Sequence, residues 1–218
     1  MSNQDWRDCW RRNDIDFHQA DGNPLLQRIW PRLEPAPACC ILVPLCGKSR
    51  DLQWLAARGH HVMGVELSPI AISAFFRESG LTPQRTRKGR FTVWRHGRIT
   101  ILGGDLFDLT PAHVADVSVV YDRSSLTALP EARRRDYARH MIRILPAHSR
   151  TLLLTMESPE GDRPPPPYQI DAEISSLYGG ACDVTLVHGE TVLEDDFEQP
   201  GGPPLAMEAK VYLLAPLA

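Results

Sequence analysis

The chain has 218 residues, of which 43% are hydrophobic and 23% charged, a composition that indicates one ordinary globular domain and excludes a collagen-like or largely disordered chain. The formal net charge of -3 argues against a general polyanion binder. Residues 1–30 lack the apolar core of a secretory signal, and no apolar run is long enough to cross a membrane. We therefore expect a cytoplasmic protein. Its five cysteines have neither zinc-site spacing nor a paired framework, so we expect free thiols and no metal.

The first 35 residues predict a helical cap, and residues 36–218 predict an α/β core, together forming one domain over 1–218. Four aromatic residues of the N-terminal segment are the expected contacts of this cap: Trp6, Trp10, Phe17 and Trp30. Trp6 and Trp30 also fit ordinary core positions.

From Cys40 onward the pattern is strand, turn, helix, strand, helix. The apolar run CILVPLCG is closed by Gly47, and the helical pattern that follows, SRDLQWLAARG, ends at Gly59. A second apolar run, HHVMGVELS, leads into a helix with Pro69 at its first position and Gly80 beyond its end. A βαβα pattern of this kind predicts a parallel sheet covered by helices.

Six more strand or helix patterns complete the core. RITILGGD, VSVVYD and RTLLLTME predict strands, and an amphipathic helix over residues 131–145 should direct Arg133–Arg135 to solvent. The two C-terminal strand patterns have no room for a crossover helix, so at least one should be antiparallel. Four consecutive prolines, 164–167, cannot continue either element, and they predict a spacer or a lid.

Residues 85–98 carry six Arg or Lys and no acid, with Phe91 and Trp94 between them. This is how a nucleic-acid patch could look. A solvated hairpin, or a connection between a helix and a strand, explains the same charges, and the acidic remainder of the chain favours that interpretation.

The residues that follow each predicted strand are the candidates for chemistry, because open α/β sheets bind ligands at the carboxyl ends of their strands. The turn at Gly47 lacks the further glycines of a phosphate loop or a dinucleotide fingerprint, so a ligand without phosphates fits better. Glu66, 19 residues later, can accept both ribose hydroxyls of an adenosine group, and Asp105 can accept the adenine amino group. A helix N-terminal acid and an exposed turn acid are the alternatives for these two residues. Together the residues suggest S-adenosylmethionine.

The sequence closely resembles the thiopurine S-methyltransferase family, including its bacterial members, from Trp6 to about Leu214. The resemblance lies in WRDCWRRNDIDFHQ, NPLL, VPLCGKSRDLQWLAARGHHVMGVELS, GDLFDL, YDRSSLTALP and the closing VYLL. It implies a Rossmann-like, seven-stranded, mostly parallel sheet with an antiparallel C-terminal hairpin, in agreement with the strand patterns.

The resemblance also implies roles for individual residues. Residues 6–17 would form a lid over the cofactor, with Trp10 on the cofactor and Phe17 toward the methyl acceptor. The other cofactor-binding residues would be Leu45 packing on the cofactor, Glu66 at the ribose, Asp105 and Leu106 at the adenine, and Arg123 at the methionine end. Arg123 is also a candidate to stabilise a thiolate or anchor a carboxylate. No general base is implied, and His18 is expected to be a structural hydrogen-bond partner.

The implied reaction is methyl transfer from S-adenosylmethionine to a small aromatic or heterocyclic thiol, with S-adenosylhomocysteine as product; selenium and tellurium compounds are further expected acceptors. Partners would be small molecules, not nucleic acid or membrane, and the protein would be a monomer. A halide or thiocyanate acceptor, or a nucleic-acid-binding module, remains as an alternative. The loop over residues 197–204 lacks the basic residue that the family carries near the acceptor, so thiopurine recognition could be altered here.

Overall fold

The computed structural model describes residues 2–15, 18–157, 170–194 and 204–217. These residues form two compact units, one made of Met1–Tyr121 with Arg143–Pro146 and the other of Asp122–Ile142 with Ala147–Ala218. None of the helices in the described ranges is long and apolar enough to cross a membrane. All five cysteines carry free thiols.

The first unit begins with two helices, α1 (Asn3–Arg12) and α2 (Pro24–Ile29), and a 3₁₀ turn (Trp30–Leu33). They provide the helical segment that the N-terminal sequence predicts.

Asp51 connects this segment to the core, because its buried carboxylate accepts hydrogen bonds from the Asn23 backbone amide at 2.7 Å and from the Tyr121 hydroxyl at 2.9 Å. Trp30 is a core aromatic, packed edge-on against Trp54 and His60.

The predicted βαβα pattern is present in the first unit. Its elements are β1 (Cys40–Val43), α3 (Asp51–Ala57), β2 (His61–Glu66) and α4 (Pro69–Glu78). They are followed by β3 (Gln84–Lys88), β4 (Phe91–His96), β5 (Ile99–Gly103) and β6 (Val117–Arg123), whose last two residues belong to the second unit. The strand order is β3-β4-β5-β2-β1-β6, with β1, β2, β5 and β6 parallel. The core strands are apolar because helices cover the parallel sheet, and Leu42, Val65 and Ile101 are fully buried.

The second unit contains α5 (Ser125–Ala128), α6 (Glu131–Ile144), β7 (Arg150–Glu157), α7 (Ile170–Tyr178), β8 (Cys182–Glu194) and β9 (Leu205–Pro216). Strand β9 pairs antiparallel with both β7 and β8. The antiparallel C-terminal hairpin is therefore confirmed.

The predicted strand count was wrong, since the described residues form nine strands instead of seven. The two additional strands, β3 and β4, are an antiparallel hairpin built from the basic segment. Its turn is made by Gly89, whose φ of +58° suits glycine. Strand β3 has no apolar residue because all five of its side chains are exposed at the sheet edge, which removes the alternation that marks a strand.

The prediction that Arg133–Arg135 face solvent was wrong for Arg134. Its side chain is 2% exposed, donates to Glu173 at 2.7 Å and donates from Nε to the Leu129 carbonyl at 3.1 Å. Arg133 and Arg135 are exposed. Helix periodicity places Arg134 on the same face as buried Tyr137 and Ala138, three and four residues later, so the helix period predicts its burial better than the charge run does.

Candidate active site

The turn after β1 is the centre of the candidate site. Leu45 and Gly47 both have left-handed backbone angles, with φ of +43° and +53°, and the Cys46 amide between them donates to the Val65 carbonyl of β2 at 3.0 Å. Leu45 is half-buried. A left-handed conformation is costly for a non-glycine residue, and such strain is concentrated at functional sites. The turn is thus curled tightly over the end of the neighbouring strand.

Glycine at position 64 makes room for this curl. A Cβ added to Gly64 would lie 2.7 Å from the Cys46 sulfur, closer than real side chains approach. Cys46 is fully buried, and desolvation raises the pKa of its thiol well above the usual value. Cys46 therefore holds the turn in place as a small apolar residue and does not act as a nucleophile.

Glu66, the last residue of β2, connects two turns through its carboxylate. It is 6% exposed, with Oε2 accepting from the Gly47 amide at 2.9 Å and Oε1 accepting from the Ser68 amide at 2.7 Å. Burial raises its pKa, and hydrogen bonds from the amides of Ser68, Gly47 and Leu67 offset part of that effect. Glu66 is therefore more than the helix N-terminal acid of the alternative interpretation; Ser68 is the residue that caps α4.

Asp105 follows β5, the strand that pairs with β2, and so lies near Glu66 at the carboxyl ends of the parallel strands. Glu66 pairs with Gly103 in the parallel register of β2 and β5, and the Gly104 amide donates to the Glu66 carbonyl at 3.0 Å. Asp105 caps the 3₁₀ turn Leu106–Asp108 by accepting from the Phe107 amide at 2.9 Å, and Leu106 behind it is buried. The half-buried Asp105 is thus a fixed acceptor and not a freely exposed turn acid.

Helix α1 brings Trp10 to the same turn. The indole is 7% exposed, and its Cζ2 lies 3.2 Å from the position that a Cβ on Gly47 would occupy. Glycine at 47 therefore serves both the positive φ and the close approach of the indole. Trp10, Gly47 and Glu66 are thus connected by contacts within the first unit, and Asp105 follows the strand that pairs with the strand of Glu66. The cofactor-binding roles predicted for Trp10, Glu66 and Asp105 stay predictions.

Two other predicted site residues, Arg123 and Phe17, lie outside the described part of the first unit. Arg123 is the last residue of β6 and belongs to the second unit, where its side chain is half-buried. Phe17, the prolines 164–167 and residues 197–203 lie outside the described residues. Their predicted roles stay predictions.

Sequence reasoning missed Asn3, whose side-chain amide donates to Asp105 Oδ2 at 2.7 Å, across 102 residues. It also missed the packing function of Gly64. An asparagine next to Ser2 resembles an ordinary helix-start residue, and only the fold reveals its distant partner.

The basic hairpin does not present its aromatic residues to a nucleic acid. Phe91 and Trp94 are 1% and 5% exposed; Trp94 stacks on Phe76, and the Arg85 guanidinium lies 3.6 Å from the centre of the Trp94 ring. Buried rings cannot stack on bases. Residues 85–98 form the hairpin, and not the connection between a helix and a strand, of the solvated interpretation.

Comparison with solved structures defines the class first. The chain aligns over 99% of its length, at 14% identity and a TM-score of 0.66, with a SAM-dependent methyltransferase from Anabaena variabilis, 95% of which is covered. It also aligns over 98% of its length, at 14% identity and a TM-score of 0.64, with 87% of a 1,6-didemethyltoxoflavin-N1-methyltransferase from Burkholderia thailandensis, solved with S-adenosylhomocysteine. The fold is that of the α/β methyltransferases, with a mixed sheet.

The family is then given by the sequence. The family model "Thiopurine S-methyltransferase (TPMT)" matches residues 1–216. A thiopurine S-methyltransferase of Stutzerimonas stutzeri is 48% identical over 213 residues, which cover 97% of this chain and 90% of the relative. The chain belongs to the thiopurine S-methyltransferase family.

Proposed function

We propose that this protein transfers the methyl group of S-adenosylmethionine to the sulfur of thiopurines or other small aromatic or heterocyclic thiols. The observation that carries the proposal is the buried Glu66 carboxylate, held by backbone amides at the edge of the sheet where α/β folds bind their ligands. Membership of the family supports the same reaction.

The residues present fit the cofactor. An ionised carboxylate has about four acceptor positions, more than the hydrogen bonds from the amides of Gly47, Ser68 and Leu67 use, so Glu66 can accept a ribose hydroxyl as well. Asp105 on the adjacent strand end suits the adenine amino group, with Leu106 packing beside the ring. Leu45 and Trp10 supply apolar surface on either side of the Gly47 turn. A single glycine turn without a phosphate-binding loop suits a ligand without phosphates.

When bound, S-adenosylmethionine supplies an electrophilic sulfonium methyl group. The contribution of the chain is alignment: Glu66 and Asp105 fix the adenosine part, and Trp10 covers the turn and excludes water. A thiolate needs no strong base from the protein, and among the described site residues Cys46 is excluded as a nucleophile by its burial. In this proposal Arg123 acts at the methionine end or on an anionic acceptor, and Phe17 acts on the acceptor side, as the resemblance implies.

Methyl transfer to 6-mercaptopurine tests the proposal. We expect S-methylated product and S-adenosylhomocysteine in equal amounts, with turnover lost or strongly reduced in Glu66→Ala and retained in Glu131→Ala, a control that removes an exposed glutamate. Absence of turnover with 6-mercaptopurine, together with turnover of selenite, tellurite, thiocyanate or a halide, would correct the acceptor class. Equal turnover by wild type and Glu66→Ala would refute the assignment of Glu66.

A further inference from the structure

The side chain of Asn3 makes a contact that helix α1 does not need for its own stability. Ser2 caps the helix, accepting from the Asp5 amide at 3.2 Å, and Asp5 accepts from the Ser2 amide at 2.6 Å. This reciprocal pair satisfies the helix start without Asn3. Asn3 is exposed, yet its side-chain amide donates to Asp105 at 2.7 Å. The contact therefore connects α1 to the turn that follows β5.

A second contact of α1 lies two turns further along the helix. Trp10 is seven residues after Asn3, which places both side chains on one face of the helix. Trp10 covers the Gly47 turn after β1, while Asn3 reaches Asp105 after β5. Helix α1 is thus anchored at two points of the proposed cofactor site.

The geometry of Asp105 allows this anchor and a ligand to share one carboxylate. The Phe107 amide holds Oδ1, which fixes the orientation of the carboxylate and leaves Oδ2 toward Asn3. An oxygen of an ionised carboxylate has two lone pairs, so Oδ2 can accept from Asn3 and from a ligand amino group at the same time.

We propose that Asn3 is a positioning residue, a latch that holds α1 closed over the cofactor through Asp105. The inference rests on the proposed function and adds a residue to it. Because latch and ligand favour the same orientation of Asp105, closing of α1 and binding of the adenine stabilise each other. Loss of the latch speeds cofactor release. It does not change the methyl-transfer step, which depends on the other residues.

The test compares Asn3→Ala with Gln4→Ala, which removes the adjacent exposed side chain whose partner is Asp8 within the same helix. Release of S-adenosylhomocysteine is followed by stopped-flow tryptophan fluorescence. We expect Asn3→Ala to speed release about threefold to tenfold, the size of one net hydrogen bond, and Gln4→Ala to leave it unchanged. Asn3→Gln keeps the amide donor and should bring the release rate part of the way back to the wild-type value.

A second measurement needs no cofactor. Amide hydrogen exchange of α1 in the cofactor-free protein should be faster in Asn3→Ala than in wild type or Gln4→Ala, because local opening becomes easier. A general loss of helix would raise exchange equally in both variants, and that result would overturn the latch.

The double variant separates failure of the latch from failure of the proposed function. If the latch acts through Asp105, Asn3→Ala has no further effect on release in an Asp105→Ala background. Weaker binding in Asp105→Ala with no change in Asn3→Ala would overturn the latch and keep the cofactor site. Unchanged binding in both Asp105→Ala and Glu66→Ala would remove the proposed site itself.

Discussion

Each of the two units buries a carboxylate at the end of a strand, and the two carboxylates have different partners. Glu66 in the first unit is 6% exposed and accepts from two backbone amides. Asp122 in the second unit is 2% exposed and accepts from the Tyr137 hydroxyl at 2.5 Å and from the Ser125 amide at 3.0 Å. Burial raises the pKa of both.

The comparison shows that a raised pKa does not by itself identify a binding residue. Tyr137 anchors α6 to the end of β6 through Asp122, so that pair has a structural function within the second unit. Glu66 accepts from the backbone amides of two turns and lies at the carboxyl end of β2. The kind of partner, together with position at the strand ends, distinguishes the two carboxylates.

The largest expected effect belongs to the other buried charge of the second unit. Replacing Arg134 by Ala removes the ion pair with the partly exposed Glu173 and leaves a cavity where the buried side chain lay, so it should lower the free energy of unfolding by about 2–4 kcal/mol. Arg133→Ala, its exposed neighbour on the same helix, should change it by less than about 0.5 kcal/mol. Urea denaturation of both variants measures the difference, and equal effects would show that burial of Arg134 is unimportant.

A smaller loss is expected from Asp122→Asn. The asparagine can still accept from Ser125, but it presents an amide donor to the Tyr137 hydroxyl, so the free energy of unfolding should fall by about 1–3 kcal/mol. Tyr137→Phe removes the hydroxyl, and in its background the asparagine substitution should cost less. Additive losses in the double variant would contradict the direct hydrogen bond.

Much of this arrangement could be predicted from the chain, because the apolar runs and the glycine and proline positions specify the βαβα elements and the strand ends. Glu66 and Asp105 follow from that placement. The strands of the β3–β4 hairpin could not be included in the predicted strand count, since the exposed edge strand β3 has no apolar alternation. Arg134 and Asn3 were missed because their partners, Glu173 and Asp105, are distant in sequence and are brought close only by the fold.

The pH dependence of ligand binding separates the two carboxylates further. In the proposed site, ribose hydroxyls would donate to the ionised form of Glu66. Affinity for S-adenosylhomocysteine should then fall, by up to tenfold per pH unit, as the pH drops through the pKa of Glu66, which is raised above 4.5. In Glu66→Gln this dependence should disappear, whereas it should persist in Asp122→Asn. Calorimetric titrations over a pH series measure it, and a slope retained in Glu66→Gln would assign the titration to another group.

In the ligand-free protein the effect of pH runs in the opposite direction, because the ionised form of Glu66 lowers the free energy of unfolding. A folded-state pKa above the unfolded value means that the folded state holds the proton more tightly. The contribution of Glu66 to the free energy of unfolding is then fully present below pH 4.5 and is lost as the pH rises through the raised pKa.

The smallest effect is expected at the basic hairpin. Replacing Arg87 and Arg95 by serine should change affinity for S-adenosylhomocysteine by less than about twofold, since both side chains are exposed. A labelled oligonucleotide should show no saturable, steeply salt-dependent binding to the wild type. Such binding, unaffected by Glu66→Ala, would instead favour a nucleic-acid-binding module.

The most direct test of the account is calorimetric binding of S-adenosylhomocysteine to the wild type, Glu66→Ala and Glu131→Ala. The account predicts binding to the wild type and to Glu131→Ala, and a loss of about 1–3 kcal/mol of binding free energy in Glu66→Ala through the missing charge-assisted hydrogen bonds. No binding to the wild type, or equal binding to all three proteins, would contradict it.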